Sequence, residues 1–314
     1  MEEKILYSME SPFQQEFNVK GYYFGKNGGK KRSACIVGAL RGTEYQQLYI
    51  CSKLIDILKK IEKKGDIVGE NGILVIPAVN RISMDYGKRF WISDDKDLNR
   101  LFPGSPNGES GSRVVHAIWE TTKGYQYGIH LPSFYLGGTF IPHIRLLDPE
   151  HGSTSLANLF GLPYVIEAKT RPFDRTTLHY NWQKNGTEAF SLYTGATGQI
   201  DDELAVQAVS SILRFLTRMG IIRYYSHSGY IASVLKEEDL EPVMTRAAGL
   251  FIRKAECGQE VSRGDVLARI MEADSGEIIS EVTAPTDGIL FYAQTKPVVY
   301  SDLLAFQIIK RIHL

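Results

Sequence analysis

Two periods of apolar residues alternate along the chain as far as Gly220. Short runs with β-branched centres predict buried strands, and stripes spaced by three and four predict amphipathic helices. The run at 34–40, centred on Ile36 and Val37, ends at a turn bracketed by Gly38 and Gly42. Leu48, Cys51, Ile55 and Leu58 then fall on one helical face. Lys59, Lys60 and Lys64 followed by Gly65 stop that helix as the macrodipole and the glycine C-cap require. A second buried strand at 72–79 completes a βαβ unit, which implies a parallel pair with a right-handed crossover.

The same reading continues downstream. It predicts a strand at 20–24 within an edge segment 1–33, a helix at 109–122, and strands at 127–131, 140–147, 162–167 and 188–192. A short helix starts at Ser153. Asp201 caps a helix lined by Leu204, Ala208, Ile212 and Leu216. The fold class is α/β, with a mixed, mostly parallel sheet flanked by helices. From Gly249 onward the period changes. Strands become short, separated by Gly, Asp and Pro, and the stretch 249–268 is echoed by 288–305. Two hairpin-rich halves predict a small all-β barrel-like domain or sandwich. The expected domains are therefore 1–225 and 226–314.

Charge narrows the function. Lys plus Arg equals Asp plus Glu at 36 each, so no net field points to nucleic acid or to an anionic membrane. No apolar run is long enough to span a bilayer. The three cysteines, Cys35, Cys51 and Cys257, lack C-x-x-C spacing, and the first two lie on predicted buried elements. Reduced core thiols and a cytoplasmic setting are expected, with a small molecule as partner.

Candidate chemistry gathers where the first strand ends. Side chains beyond the carboxyl ends of parallel strands line the ligand crevice of α/β sheets, which puts Arg41 and Glu44 there. The long polar segment 89–104 carries aromatic residues and reads as a functional loop. Three pieces in order, Gly38-x-x-Arg41-Gly42-Thr43-Glu44, Asp97-Leu98-Asn99-Arg100-x-Phe102-Pro103-Gly104 and Ile129-His130, carry a resemblance. The chain resembles the succinylglutamate desuccinylase/aspartoacylase family of zinc-carboxypeptidase-like hydrolases. The repeat beyond Gly249 resembles the β-domain of many members and a biotinyl/lipoyl barrel, although no Lys stands at the hairpin position for a cofactor.

The resemblance implies zinc held by a His, a Glu three residues later and a distant His, with one position open for water. Those positions hold Arg41, Glu44 and His130 here, and a guanidinium cannot ligate. The family's orienting Asp is Gly128, and its general-base Glu aligns with Tyr193. Tyr has an ordinary pKa near 10 and serves poorly as a base at neutral pH. The ligand-holding side is retained: Arg89 matches an Arg that polarises the scissile carbonyl, while Asn99 and Arg100 match residues that clasp a carboxylate. His116 and His143 are the candidates for a replacement metal ligand, and Cys35 reads as core.

Three functions follow as expectations. The chain binds a small carboxylate-bearing N-acyl amino-acid derivative without zinc hydrolysis; or it is an active metal-dependent amide hydrolase with a rearranged site; or it is a non-catalytic partner-binding scaffold. On the first, Arg41, Arg89 and Arg100 should converge on one cleft with an excess of positive charge. Arg41→His alone should give at most weak zinc binding, and Arg41→His, Gly128→Asp and Tyr193→Glu together should bind zinc measurably better.

Overall fold

The computed structural model describes residues 1–10, 16–134, 137–147, 153–195, 198–226 and 228–311. They form two compact units, the first comprising Met1–Ser133, Pro142–Thr194 and Gly198–Val234, the second the remainder.

The first unit is built on a nine-stranded sheet. In chain order its strands are β1 (Glu2–Met9), β2 (Phe17–Phe24), β3 (Lys31–Ala39), β4 (Asn71–Ala78) and β5 (Tyr127–His130). The chain then makes β6 (Gly138–Phe140), which belongs to the second unit, and returns with β7 (His143–Leu147), β8 (Tyr164–Ala168), β9 (Glu188–Tyr193) and β10 (Ser233–Lys236). The spatial order is β1-β2-β4-β3-β5-β9-β7-β8-β10. Strands β4, β3, β5 and β9 run parallel, as do β7 and β8, whereas β1/β2, β2/β4 and β7/β9 are antiparallel. The helices are α1 (Tyr45–Lys63), α2 (Arg81–Met84), α3 (Ser110–Thr122), α4 (Thr154–Asn158), α5 (Leu178–Lys184) and α6 (Asp202–Arg218). Asp201 accepts from Leu204 N and so caps α6.

Side-chain alternation divides the core between the two faces of this sheet. Ile36, Ile129 and Phe190 pack with Cys51 and Leu54 of α1 and with Ile212 and Phe215 of α6. Cys35, Val37 and Ala189 pack on the other face with Val114 and Ile118 of α3 and Leu178 and Trp182 of α5. By parity Gly128, His130, Ser191 and Tyr193 belong to this second face. The candidate site is therefore on the α3/α5 side, at the carboxyl ends of β3, β5 and β9.

The sequence expectation of one strand over 140–147 is corrected. Pro142, which has no N–H to give a ladder, separates β6 from β7. Helix α5 was not foreseen. Its seven residues are too few to show a stripe, and its start is set by Thr177, whose hydroxyl accepts from Tyr180 N.

Among its described residues the second unit is all β apart from one 3-10 turn at Glu237–Asp239. It adds β11 (Leu240–Met244), β12 (Gly249–Arg253), β13 (Glu260–Val261), β14 (Val266–Met271), β15 (Ile278–Thr283), β16 (Gly288–Gln294), β17 (Val298–Val299) and β18 (Leu304–Lys310). One sheet is β11-β18-β16-β13 with β6 also on β16, and the other is β15-β14-β12-β17. The repeat read from sequence is visible in the pairing. The leading strand of each half pairs with its own last strand and with the short strand of the other half, β12 with β14 and β17, β16 with β18 and β13. Phe251, Leu267, Leu290, Phe306 and Ile308 fill its core.

Candidate functional site

The β3–α1 turn comes first because it places both Arg41 and Glu44. Gly42 lies so close to the 83–89 segment that a Cβ there would sit 2.3 Å from Lys88 O, and its N–H donates to Arg89 O at 3.0 Å. Only glycine permits that approach. Glu44, with no exposed surface, folds back on its own turn: Oε2 accepts from the backbone N–H of Leu40 and Arg41, both at 2.9 Å. Oε1 accepts from Ser133 N at 3.0 Å, Ser133 Oγ at 2.6 Å and Arg41 Nη1 at 3.1 Å. Five donors thus satisfy one carboxylate.

Arg41, 5% exposed, bridges Glu44 to the second motif. Its Nε reaches both Asp97 oxygens at 3.1 and 3.0 Å, and its Nη2 donates to Oδ2 at 2.9 Å, a side-on fork. Asp97 in turn caps the short 3-10 turn Leu98–Arg100 by accepting from Asn99 N. Burial pulls against the charge on Arg41, but Glu44 and Asp97 more than reverse this and hold the guanidinium protonated.

A second group lies under the first. His130 and His179 are both buried, and each has an Nε2 with no hydrogen-bond partner among the described residues. His179 Nδ1 meets Ser191 Oγ at 2.7 Å, and Ser191 is registered against His130 across β5 and β9. His179 and Trp182, three apart on α5, share the face turned to the sheet. The indole of Trp182 occupies the space beside Gly128: a Cβ there would lie 2.5 Å from Trp182 Cε3 and 2.7 Å from Cδ2.

Burial first, then Arg41, pushes His130 down to about 3; burial first, then His130 and Arg145, does the same to His179. Both values lie below the ordinary 6.5, so at acid pH the unfolded chain binds more protons than the folded one. The stability that comes from keeping these rings neutral is complete above pH 6.5 and is lost as pH falls toward 3. By pH 5 the loss is on the order of 2 kcal/mol per histidine. Urea unfolding at pH 7.5 and 5 should show a markedly smaller loss for His130→Phe/His179→Gln than for the wild type. Equal losses in the two proteins would exclude these rings as its source.

The remaining residues singled out from sequence divide in two. Arg89, largely buried, belongs with the Arg41 group: Nη1 donates to Ser133 Oγ at 3.3 Å. Burial and then Arg41 lower its pKa, while Glu44 and Asp97 oppose this. Asn99 is buried, and its Oδ1 accepts from Leu178 N, tying the second motif to α5. Arg100 donates to Phe173 O at 2.7 Å, pairs with Asp174 at 3.4 Å and lies over the Phe173 ring. Arg41 and Arg89 are matched in charge by Glu44 and Asp97, and Arg100 is paired with Asp174, so the expected positive excess is absent: Asp97 is the main partner of Arg41. Tyr193 stacks on His143, ring centroids 4.9 Å apart. His116 is on α3, and Cys35 is a core thiol whose pKa burial raises.

These residues do not fit a three-ligand zinc site. A guanidinium has no lone pair to offer. Glu44 already accepts five hydrogen bonds, so of the three ligand positions only His130 keeps an uncommitted ligating atom among the described residues. Among the described residues no group of three or more His, Cys, Asp or Glu side chains is arranged to hold a metal ion. Sequence reasoning missed Ser133, His179, Trp182 and Ser191. The signals available were the proximity of Ser133 to His130 and that of Ser191 to Tyr193 on the same face of one strand.

The fold agrees with what the chain is similar to. A family model described as the succinylglutamate desuccinylase/aspartoacylase catalytic domain matches residues 30–219. The chain belongs to that family. It is 25% identical over 286 residues to an N-alpha-acetyl-L-2,4-diaminobutyric acid deacetylase of Halomonas elongata, covering 83% of this chain and 77% of that protein. Its fold is that of the product-bound ectoine utilization protein EutE of Ruegeria pomeroyi, with TM-score 0.79, 19% identity and 94% and 90% of the two chains covered. A succinylglutamate desuccinylase from Silicibacter sp. TM1040 superposes similarly, with TM-score 0.80, 18% identity and 97% and 92% covered. No helix among the described residues is long and apolar enough to cross a membrane.

Proposed function

We propose that this chain binds a small carboxylate-bearing N-acyl amino-acid derivative at the β3–β5–β9 crevice and does not hydrolyse it through a metal-bound water. The observation that carries this reading is the Arg41 guanidinium, held between Asp97 and Glu44 by a side-on fork and a further hydrogen bond. A fixed guanidinium there supplies hydrogen-bond donors, but it cannot lower the pKa of a water as a metal does. Gly128 and Tyr193 point the same way, because an orienting carboxylate and a general base act with the metal as a unit. Arg89 and Asn99 line the crevice, with Arg100 at Phe173 as the carboxylate contact. The family and the deacetylase relative favour an N-acyl amino acid as the ligand class.

Elemental analysis and calorimetry on protein purified without added zinc test this. The probes are Nα-acetyl-L-2,4-diaminobutyrate, N-acetyl-L-aspartate and N-succinyl-L-glutamate. Saturable binding of at least one, substoichiometric zinc and no release of free amine are expected. At a hundredfold excess over Kd such a ligand should add about 2.7 kcal/mol of stability. Near one zinc per chain with amine release would instead make this an active hydrolase. No saturable binding would leave the scaffold reading.

A further inference from the structure

We infer that Arg41 and His130 together form a cradle for the acyl carbonyl oxygen of the bound ligand. This rests on the binding reading above and names what recognises the acyl group. Arg41 has five N–H bonds. Nε and one N–H of Nη2 go to Asp97, and one N–H of Nη1 goes to Glu44, so one N–H remains on each terminal nitrogen. Because Asp97 takes the side-on fork, the spare Nη2 hydrogen points out along the end of the guanidinium. With the side chain 5% exposed, these donors face the interior of the site and not bulk water.

His130 stands beside them. Ser133, three residues further along the same segment, shares the Glu44 Oε1 atom with Arg41 Nη1, which brings the end of β5 against the guanidinium. The ring is 1% exposed, and its Nε2 has no partner among the described residues. Arg41 is also the largest electrostatic influence on that ring after burial itself, consistent with close approach. In its Nε2–H tautomer the neutral imidazole donates, and it supplies the second donor of the cradle beside the spare guanidinium N–H.

The charge count decides which oxygen they take. Arg41 and Arg89 are matched by Glu44 and Asp97, so the inner site is neutral and sets no strong field for an anion. A neutral acceptor with two lone pairs, such as an amide carbonyl, meets both donors without bringing uncompensated charge into a buried place. The ligand's own carboxylate then belongs further out, toward Arg100.

Isotope-edited infrared spectroscopy tests the cradle directly. The probe is Nα-acetyl-L-2,4-diaminobutyrate with a 13C acetyl carbonyl, on the whole wild-type chain and on His130→Phe. Phenylalanine keeps the ring volume and removes Nε2, which has no partner among the described residues. The wild type should shift the labelled carbonyl band below its position in water. His130→Phe should bind about fivefold more weakly, as for one lost hydrogen bond, and recover part of the shift at saturation. Arg41→Lys, which keeps the charge but loses the planar fork, should reduce the shift further. Saturable binding with the band at its water position, or with the same shift in His130→Phe, overturns the cradle and leaves the binding reading intact. No saturable binding by the wild type overturns the binding reading itself.

Discussion

Arg41→Ala should be among the most destabilising single changes in the first unit, at about 3–5 kcal/mol, because it removes the guanidinium bonded to both the fully buried Glu44 and the partly buried Asp97. Glu44 has no exposed surface, and the alanine would remove the guanidinium that hydrogen-bonds its Oε1 at 3.1 Å. Asp97 would lose its side-on fork and with it part of the restraint on the 3-10 turn at Leu98–Arg100. At about 2–4 °C per kcal/mol for a unit of this size, the melting temperature should drop by roughly 10 °C. The cause separates from simple loss of packing by neutralising the partner. Arg41→Met/Asp97→Asn should be distinctly more stable than Arg41→Met alone, since the second change removes an unpaired charge and keeps the oxygen that accepts from Asn99 N. A melting temperature for Arg41→Ala within a degree or two of the wild type would show that the network does not hold this turn together.

The frame of the first unit was legible because its strands and long helices obey simple periods. Ile36 and Val37 mark β3, and the stripe from Cys51 to Leu58 marks α1, whose buried face it forms. The internal echo between 249–268 and 288–305 announced the paired halves of the second unit. The site was legible in its parts and not in its connections. Arg41, Glu44, Asp97 and His130 all stood out by motif, yet nothing in their spacing says that Asp97 takes the guanidinium 56 positions away. That contact depends on the path of the 89–104 segment, which has no period of its own. The partners on α5 were lost for a related reason. A helix of seven residues between a capped turn and β9 shows too little pattern to be read, so His179 and Trp182 could not be assigned to the site.

Trp182 sets the second large effect. The sequence comparison suggested that Arg41→His, Gly128→Asp and Tyr193→Glu would together bind zinc measurably better, but the structure leaves no room for the middle change. A Cβ on residue 128 would lie 2.5, 2.7 and 2.9 Å from three carbons of the Trp182 six-membered ring, and both residues are buried. The indole is walled in by the apolar cluster it shares with Leu178, Leu98 and Ala189, so it cannot step aside as an exposed side chain would. Gly128→Ala should therefore cost about 1–3 kcal/mol by overpacking alone. Gly128→Asp should cost more, because it adds a charge next to a neutral, buried His130. Trp182→Ala by itself should cost about 3–5 kcal/mol through lost burial and the cavity it leaves. Placed in that cavity, Gly128→Asp should be far better tolerated, giving a coupling between the two positions of at least about 1 kcal/mol in a double-mutant cycle. Strictly additive costs would mean that the indole yields without resistance and does not shape the site. If the coupling is found, the loss of the orienting carboxylate and the arrival of the tryptophan are one structural event, and a metal site can return only when residue 182 changes with the other three.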